Sequence, residues 1–378
     1  MENAELACLS ASLDRARSPE EVFGPLAGNQ AEMLAAVRSV YRQMAKTVHP
    51  DRYQGTADWD KAGAAFKKLE RLWKLARVKI EAGAYGVENP AEMFEPFTVC
   101  GKKRLYTVER LLARGDLCDL YLGSFLQAGK SVRGILKVSV KPGDNDLVAN
   151  EARVLGRLRA SDDYEKMRPF VSQLVDAFAY QEAESGIVRQ VNVLSYLEGL
   201  YSLKEVREVY ARGVDPKDMA WMWRRLLVAL GFAHASGVIH GAVLPTHILI
   251  HPRQHGVVLV DWSYAVLDPA ATGEYISAIS SSYRDWYPAE VFAREVPTPG
   301  LDIAMVARCM IDLLGGDPRK QILLETVPWQ LRQYLQGCML PRPRQRPQDV
   351  HLLLDEFDDL IERLWGPRTF REFVMPKS

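Results

Sequence analysis

The stretch RQMAKTVHPD at residues 42–51 decides the fold of the first part of the chain. Pro50 has no N–H and disfavours helix in His49, so a helix that contains Lys46 must end there. On both sides of this break, apolar residues recur at spacings of three and four, which places them on one face of each helix. They are Leu34, Val37, Tyr41, Ala45 and Val48 before the break, and Ala62, Phe66, Leu69, Trp73, Ala76 and Ile80 after it. The pattern predicts two amphipathic helices in an antiparallel hairpin.

A second stripe on the helix before the break is basic. Arg38, Arg42 and Lys46, which we call the basic stripe, recur every four residues on a face other than the apolar one. Residues 30–81 hold eleven Lys and Arg against six Asp and Glu, a net charge of +5, whereas the whole chain is neutral. Such a face contacts an acidic protein, a nucleic acid, or only solvent. The stripe itself contains no aromatic residue, which favours a protein partner over nucleic acid.

Residues 18–83 resemble a J-domain, the module by which DnaJ-type co-chaperones engage DnaK-type heat-shock ATPases. The resemblance rests on a short first helix near Pro19–Phe23, the basic second helix, the His49-Pro50-Asp51 loop and a third helix. It implies that the residues that contact the DnaK-type ATPase are Arg42, Lys46, His49, Pro50 and Asp51. The alternative is an ordinary helical hairpin in which the tripeptide occurs by chance. DnaJ-type zinc-binding and Gly/Phe-rich regions are absent from the sequence.

The composition is ordinary for a soluble globular protein of two or three domains. Of the 378 residues, 48% are hydrophobic and 25% are charged. The sequence shows no signal peptide and no apolar stretch long enough to span a membrane. The five cysteines are scattered without a C-x-x-C pair, which argues for a reducing compartment and against a zinc site. We therefore expect a cytoplasmic location, no membrane association and no nucleic-acid partner.

Beyond about residue 100 the pattern becomes strand-like and then, from near Asp218, mostly helical. The strand-like runs are Leu105–Leu112, Asp119–Phe125, Arg133–Val140, Leu174–Gln181 and Gln190–Tyr196, and a helical stretch interrupts them at Leu147–Leu158. A sheet-rich small lobe followed by a helical large lobe is an α+β arrangement.

The order of motifs in this region resembles that of a protein kinase. Gly134-Ile135-Leu136-Lys137 is similar to the strand of the phosphate-pairing lysine, and Glu151 stands where its glutamate partner would be. Later matches are His240–Leu249 at the catalytic loop, Asp261 at Asp-Phe-Gly, Pro288–Glu290 at Ala-Pro-Glu, and Asp302 and Arg346 in the large lobe. The resemblance implies a candidate nucleotide site of Gly115, Lys137, Glu151, Ser195, Leu197 and Asp261, with Asp261 as the candidate magnesium ligand. It implies structural roles for Glu290, Asp302 and Arg346.

The same region departs from the kinase pattern where catalysis takes place. Ala242 replaces the catalytic-loop aspartate, Leu244 replaces the loop lysine, and His247 replaces the asparagine that holds the second magnesium. Gly115 alone remains of the three glycines of the Gly-rich loop, and Asp116 beside it would add negative charge close to phosphates. A positioned general base contributes about 10²–10⁴-fold to the rate. The sequence therefore predicts a pseudokinase with no catalytic residues; the alternative is an atypical protein kinase or nucleotidyl transferase that uses ATP.

The expected fold class is multidomain: an all-α J-domain helical hairpin followed by an α+β bilobal protein-kinase-like fold. The expected parts are a J-domain-like helical domain at 1–90, a linker at 91–104, a small lobe at 105–198, a large lobe at 199–366 and a tail at 367–378. We expect an adaptor that recruits a DnaK-type chaperone through the first domain. The second domain would recognise an unknown client protein, or ATP with magnesium. A pure scaffold is the remaining alternative.

Overall fold

The computed structural model describes residues 4–16, 18–81, 83, 85–86, 96–102, 104–182 and 186–375. The chain divides into two compact units, Met1–Glu92 and Met93–Ser378. Residues 91–95 and 103 of the predicted linker lie outside the described residues, as do residues 376–378 of the predicted tail.

The first unit is helical over its described residues. Its elements are α1 (Ala4–Arg15), α2 (Pro19–Phe23), α3 (Gln30–Val48), a 3₁₀ turn (Pro50–Tyr53) and α4 (Trp59–Glu81). Helices α2, α3 and α4 lie where the sequence predicts helices. Helix α1 is not among the helices predicted above; its apolar side chains Leu6 and Leu13 are fully buried.

Local chemistry explains where α3 begins and ends. The Asn29 side chain accepts a hydrogen bond from the Glu32 N–H, and the Glu32 carboxylate accepts one from the Asn29 N–H, which is a capping box. At the other end His49 is extended (φ −65°, ψ 125°), and Pro50 begins the 3₁₀ turn. The Tyr53 hydroxyl donates to a carbonyl in the last turn of α3 over 2.8 Å, which closes the loop.

The predicted apolar faces of α3 and α4 form the core of this unit. Val37 and Val48 of α3 and Leu69 and Ala76 of α4 are fully buried. Full burial of a Val or Leu side chain contributes about 1.5–3 kcal/mol. The basic stripe is exposed, so packing leaves its charge accessible.

The second unit begins with a six-stranded antiparallel sheet in the order β1-β2-β3-β4-β6-β5. Its strands are β1 (Phe97–Cys100), β2 (Leu105–Arg114), β3 (Cys118–Gln127), β4 (Lys130–Ser139), β5 (Leu174–Gln181) and β6 (Val188–Ser195). Helices α5 (Asn145–Arg159) and α6 (Tyr164–Met167) come between β4 and β5 in the chain. Strand β1 corrects the prediction of a linker at 91–104, because it pairs with β2 and continues the sheet.

The rest of the second unit is mostly helical. Its elements are β7 (Tyr201–Ser202), α7 (Leu203–Val209), α8 (Pro216–Ala235), β8 (Val238–Ile239), β9 (Ile248–His251), β10 (Gly256–Leu259), β11 (Val266–Leu267), α9 (Pro269–Thr272), α10 (Ala289–Phe292), α11 (Pro299–Leu313), α12 (Trp329–Gly337) and α13 (Val350–Trp365). Helix α8 packs against α11 and α13, where Trp223, Met310 and Phe357 are fully buried. The antiparallel sheet and the helices fit a bilobal kinase-like fold. Among the helices of the described residues, none has the length and apolar character to cross a membrane.

Candidate functional site

Four polar side chains meet where β4, α5 and the turn after β10 come together. Lys137 lies on β4, Glu151 on α5, and Asp261 and Ser263 in the turn after β10. The Lys137 Nζ donates to Glu151 Oε1 over 3.1 Å, to Asp261 Oδ1 over 2.5 Å and to Ser263 Oγ over 2.9 Å. An ammonium group has three N–H donors, so each of them has an acceptor. We call these four residues the lysine cluster.

Glu151 is fully buried and is also held by neutral groups. Its Oε2 accepts from the Asn192 side-chain amide over 3.0 Å, and its Oε1 accepts from the Trp262 N–H over 3.2 Å. Because Asn192 lies on β6, Glu151 ties α5 to the sheet and to the turn after β10. The role of Glu151 is therefore at least partly structural.

The charges of the lysine cluster stabilise one another. Burial alone would lower the pKa of Lys137, but the carboxylates of Asp261 and then Glu151 outweigh burial and raise it. Burial alone would raise the pKa of Asp261, but Lys137 and then His247 lower it well below its usual range. Both groups are therefore held in their charged forms at neutral pH.

Asp302, near the start of α11, holds the segment 240–249 in place. Its carboxylate accepts from the His240 N–H over 2.8 Å and from the Gly241 N–H over 2.9 Å. Gly241 has φ +73°, a left-handed conformation that glycine adopts without strain. The contacts of Asp302 within this segment are those of a structural residue.

The side chains that replace the kinase catalytic groups are packed into the core. Ala242 and Leu244 are fully buried. Because residue 242 is alanine, it offers no acidic side chain to accept the proton of a substrate hydroxyl. His247 contacts two acceptors: its Nδ1 lies 2.8 Å from the Ala242 carbonyl oxygen and its Nε2 lies 3.2 Å from Asp261 Oδ2. Sequence reasoning misses this contact of His247, because no spacing in the chain indicates it.

His240, the first residue of the catalytic-loop match, is a core histidine. The ring is fully buried and packs against the Trp262 ring, with 4.5 Å between centroids. Its Nε2 donates to the Val260 carbonyl over 3.1 Å, and its Nδ1 accepts from the Ala242 N–H over 3.3 Å. Burial lowers its pKa to about 4, so His240 is neutral at physiological pH.

Asp116, in the turn between β2 and β3, contacts the segment before α10. Its carboxylate accepts from the hydroxyls of Ser280 over 3.2 Å, Ser281 over 2.8 Å and Ser282 over 3.1 Å, and from the Ser282 N–H over 3.1 Å. Burial alone would raise the pKa of Asp116, but the bonds from Ser281 and Ser282 lower it. The Asp116 carboxylate therefore binds three consecutive serines. We call this contact the Asp116 latch.

The other candidate nucleotide-binding residues, Gly115, Ser195 and Leu197, lie in three different surroundings. A Cβ at Gly115 would lie 2.7 Å from the Cys118 carbonyl oxygen, so the tight turn itself requires glycine. Ser195 ends β6 and pairs with Gly134 of β4, the strand that carries Lys137. Leu197 lies beyond β6 and is 42% exposed.

Glu290 and Arg346 form a buried ion pair in the large lobe. Arg346 donates to Glu290 Oε2 over 3.2 Å and makes a second, shorter bond to Oε1. The Arg346 Nε also donates to the Leu340 carbonyl over 2.6 Å. Loss of one partner of a buried pair costs about 3–5 kcal/mol, so this pair holds the loop before α13 onto α10.

The carboxylate that would hold magnesium in this cluster is already in contact with two side chains. The Lys137 ammonium is the kind of group that pairs with phosphates in kinases. Magnesium demands near-octahedral oxygen coordination, but Asp261 has Oδ1 on Lys137 and Oδ2 on His247. Across the described part of the chain, no group of three or more His, Cys, Asp or Glu side chains could hold a metal ion.

In the first unit, the residues predicted to contact a DnaK-type ATPase lie at the end of α3 and in the next turn. Arg42 and Lys46 are exposed, and Pro50 is half-buried. The His49 Nδ1 accepts from the Asp51 N–H over 3.4 Å and lies 3.5 Å from Asp51 Oδ2. The loop is therefore held by its own side chains while its basic neighbours face solvent.

Comparison with known proteins connects this chain to protein kinases. No protein-family model matches it. Over 207 residues, 53% of the chain, it is 25% identical to casein kinase II subunit alpha' of Saccharomyces cerevisiae. Over 218 residues, 56% of the chain, it is 28% identical to serine/threonine-protein kinase PknH of Mycobacterium bovis and of Mycobacterium tuberculosis.

The match spans about half of the casein kinase subunit (53%) and a third of PknH (33%). With the fold and the lysine cluster, these relatives support a protein-kinase-like domain and point to a kinase-like function. They lend no support to the J-domain or to a chaperone role, and they favour the atypical-kinase alternative over the co-chaperone hypothesis.

Proposed function

We propose that the second unit is an adenine-nucleotide-binding, atypical kinase-like domain. The observation that carries this proposal is the buried Lys137 ammonium, held by Glu151 and Asp261 at 3.1 Å and 2.5 Å. A lysine and glutamate in this relation place a cation where kinases bind phosphates. The kinase relatives support the same conclusion.

Phosphoryl transfer by the usual kinase route lacks its general base in this chain. Ala242 is apolar and fully buried, and a general base contributes about 10²–10⁴-fold. Protein kinases turn over at about 1–100 s⁻¹, so loss of the base alone predicts a turnover far below that range. We therefore propose that the second unit mainly binds nucleotide, and that any phosphoryl transfer it catalyses is slow.

Calorimetric titration of the full chain with ATP tests the proposal, with magnesium and with a chelator. We expect saturable binding that Lys137→Met weakens by at least about tenfold. Lys130→Met, an exposed lysine on the same strand, is the matched control and should bind as the wild type does. Absence of heat and of a thermal shift in the wild type under both conditions would contradict nucleotide binding without reference to any variant.

A second candidate function is recruitment of a DnaK-type ATPase by the first unit. One observation favours it: the His49-Pro50-Asp51 loop joins α3 to the turn before α4, next to the exposed Arg42 and Lys46. Together with the fold of α2–α4, this is the arrangement that the J-domain resemblance implies. The partner, its client and any scaffold role are part of this proposal.

Stimulation of ATP hydrolysis by a purified DnaK-type chaperone tests this second candidate. The wild-type chain should stimulate hydrolysis. His49→Gln should abolish this stimulation and leave the melting temperature of the protein unchanged. His351→Gln, an exposed histidine in the other unit, should stimulate as the wild type does. Equal stimulation by the wild type and His49→Gln would exclude this mechanism.

A further inference from the structure

Both oxygens of the Asp261 carboxylate already have side-chain nitrogen atoms as partners. Oδ1 lies 2.5 Å from Lys137 Nζ and Oδ2 lies 3.2 Å from His247 Nε2. The Asp261 side chain is 19% exposed and that of His247 is 12% exposed, so solvent competes little for either contact. A magnesium ion that used Asp261 would have to displace at least one of these side chains.

His247 is fixed from its other side as well. Its Nδ1 lies 2.8 Å from the Ala242 carbonyl oxygen, which can only accept. Both ring nitrogens therefore lie against oxygen atoms of the protein. The ring cannot turn toward a metal without breaking the contact with the backbone.

In protein kinases the corresponding asparagine and aspartate hold the metal ions that neutralise the nucleotide phosphates. Here the asparagine position carries an imidazole that binds the aspartate instead. Lys137 and His247 both contact the Asp261 carboxylate on which a metal ion would otherwise stand. The same two residues remove the oxygen ligands that a metal ion would need.

We propose that this cleft binds an adenine nucleotide without a divalent cation, and that His247 determines this by occupying Asp261. The inference rests on the proposed nucleotide binding of the second unit. His247 is a positioning residue in this proposal: it acts through Asp261 and takes no part in bond making.

Calorimetric titration of the full chain with ATP, in magnesium chloride and in EDTA, is the decisive experiment. We expect dissociation constants that agree within about threefold. An affinity at least about tenfold higher in magnesium would overturn the inference and leave nucleotide binding intact. Absence of binding in both buffers would overturn the proposed function and this inference with it.

His247→Asn restores an amide oxygen and frees Asp261 Oδ2, so it should make binding at least about tenfold stronger in magnesium than in EDTA. His251→Asn, four residues further along at the end of β9, should keep the cation-independent binding of the wild type. Paramagnetic relaxation by Mn²⁺ adds a readout without nucleotide, and only His247→Asn should bind the ion. Mn²⁺ binding at the wild-type cleft, mapped by relaxation of the Trp262 amide, would also overturn the inference.

Discussion

The lysine cluster and the segment 240–249 contact each other but differ in chemical character: the first is charged and polar, and the second has apolar side chains at 242 and 244. In the cluster, Lys137 directs its donors at Glu151, Asp261 and Ser263. In the segment, the Asp302 carboxylate holds the backbone of His240 and Gly241. The side chains of Ala242 and Leu244 are apolar and fully buried. The comparison shows that a buried lysine–carboxylate cluster can be present without an acidic side chain at 242, because the cluster also connects β4, α5 and the turn after β10.

The largest effect should come from breaking the cluster at Glu151. Glu151→Ala leaves the Lys137 ammonium with one acceptor fewer and removes one of the two acceptors of the Asn192 amide, so unfolding should be easier by about 3–5 kcal/mol. Chemical denaturation measures this change. Glu165→Ala, whose side chain is 85% exposed, should change stability by less than about 0.5 kcal/mol. Similar midpoints for the two variants would mean that the cluster does not stabilise the fold.

The next largest effect is a pH dependence of stability caused by His240 in the segment 240–249. The pKa of His240 falls from 6.5 to about 4 on folding, so the unfolded chain binds more protons between these values. The neutral ring then adds stability that is present above pH 6.5 and is lost as pH falls toward 4, by about 3 kcal/mol in all.

The His240→Gln variant isolates this effect from other titrating groups. Unfolding free energies of the wild type and of His240→Gln should converge as the pH falls from neutrality toward 4. A difference between them that stays constant over this range would show that His240 is not the group responsible.

A smaller effect should follow from installing an acid in the segment. Ala242→Asp places a carboxyl group at a fully buried position, where we expect it to be protonated and to cost about 1–3 kcal/mol for desolvation. We expect no gain in radiolabelled phosphoprotein, because Leu244 and His247 remain. Ala242→Gly is the control without charge. Robust labelling by the Ala242→Asp variant, absent from the wild type and from the control, would mean that the segment lacks only its base.

The smallest effect should come from opening the Asp116 latch, which lies outside both regions. Asp116→Ala removes the acceptor of the Ser282 N–H, so hydrogen exchange of that amide should accelerate while global stability falls by no more than about 1 kcal/mol. Asp162→Ala, an exposed acid after α5, should leave exchange at Ser282 unchanged. Unchanged exchange in Asp116→Ala as well would contradict the latch.

Much of the fold could be predicted from sequence because its signals are local. The apolar period around Val37 and Leu69 predicts α3 and α4, and the alternating runs predict β2 to β6. Strand β1 could not be predicted, since it has only four residues. Such a short strand is held by its pairing with β2 more than by its own propensity.

The sequence predicted which residues form the candidate site, but it did not predict every contact among them. The spacing of Lys137 and Glu151 placed them on a strand and the following helix, where a lysine and a carboxylate can meet. The contact of His247 with Asp261 had no such signal, because a histidine at that position departs from the kinase pattern and nothing local indicates its partner.

Sequence alone determined which chemical groups the chain possesses and which it lacks, because the identity of a side chain at 137 or 242 does not depend on folding. It also determined the order of strands and helices, which follows from local periodicity. Tertiary structure alone decided that His247 occupies Asp261 and that Asp116 binds serines 164 to 166 positions away. Contacts over such separations depend on the path of the whole chain through the core, and no pattern within a short window can record that path.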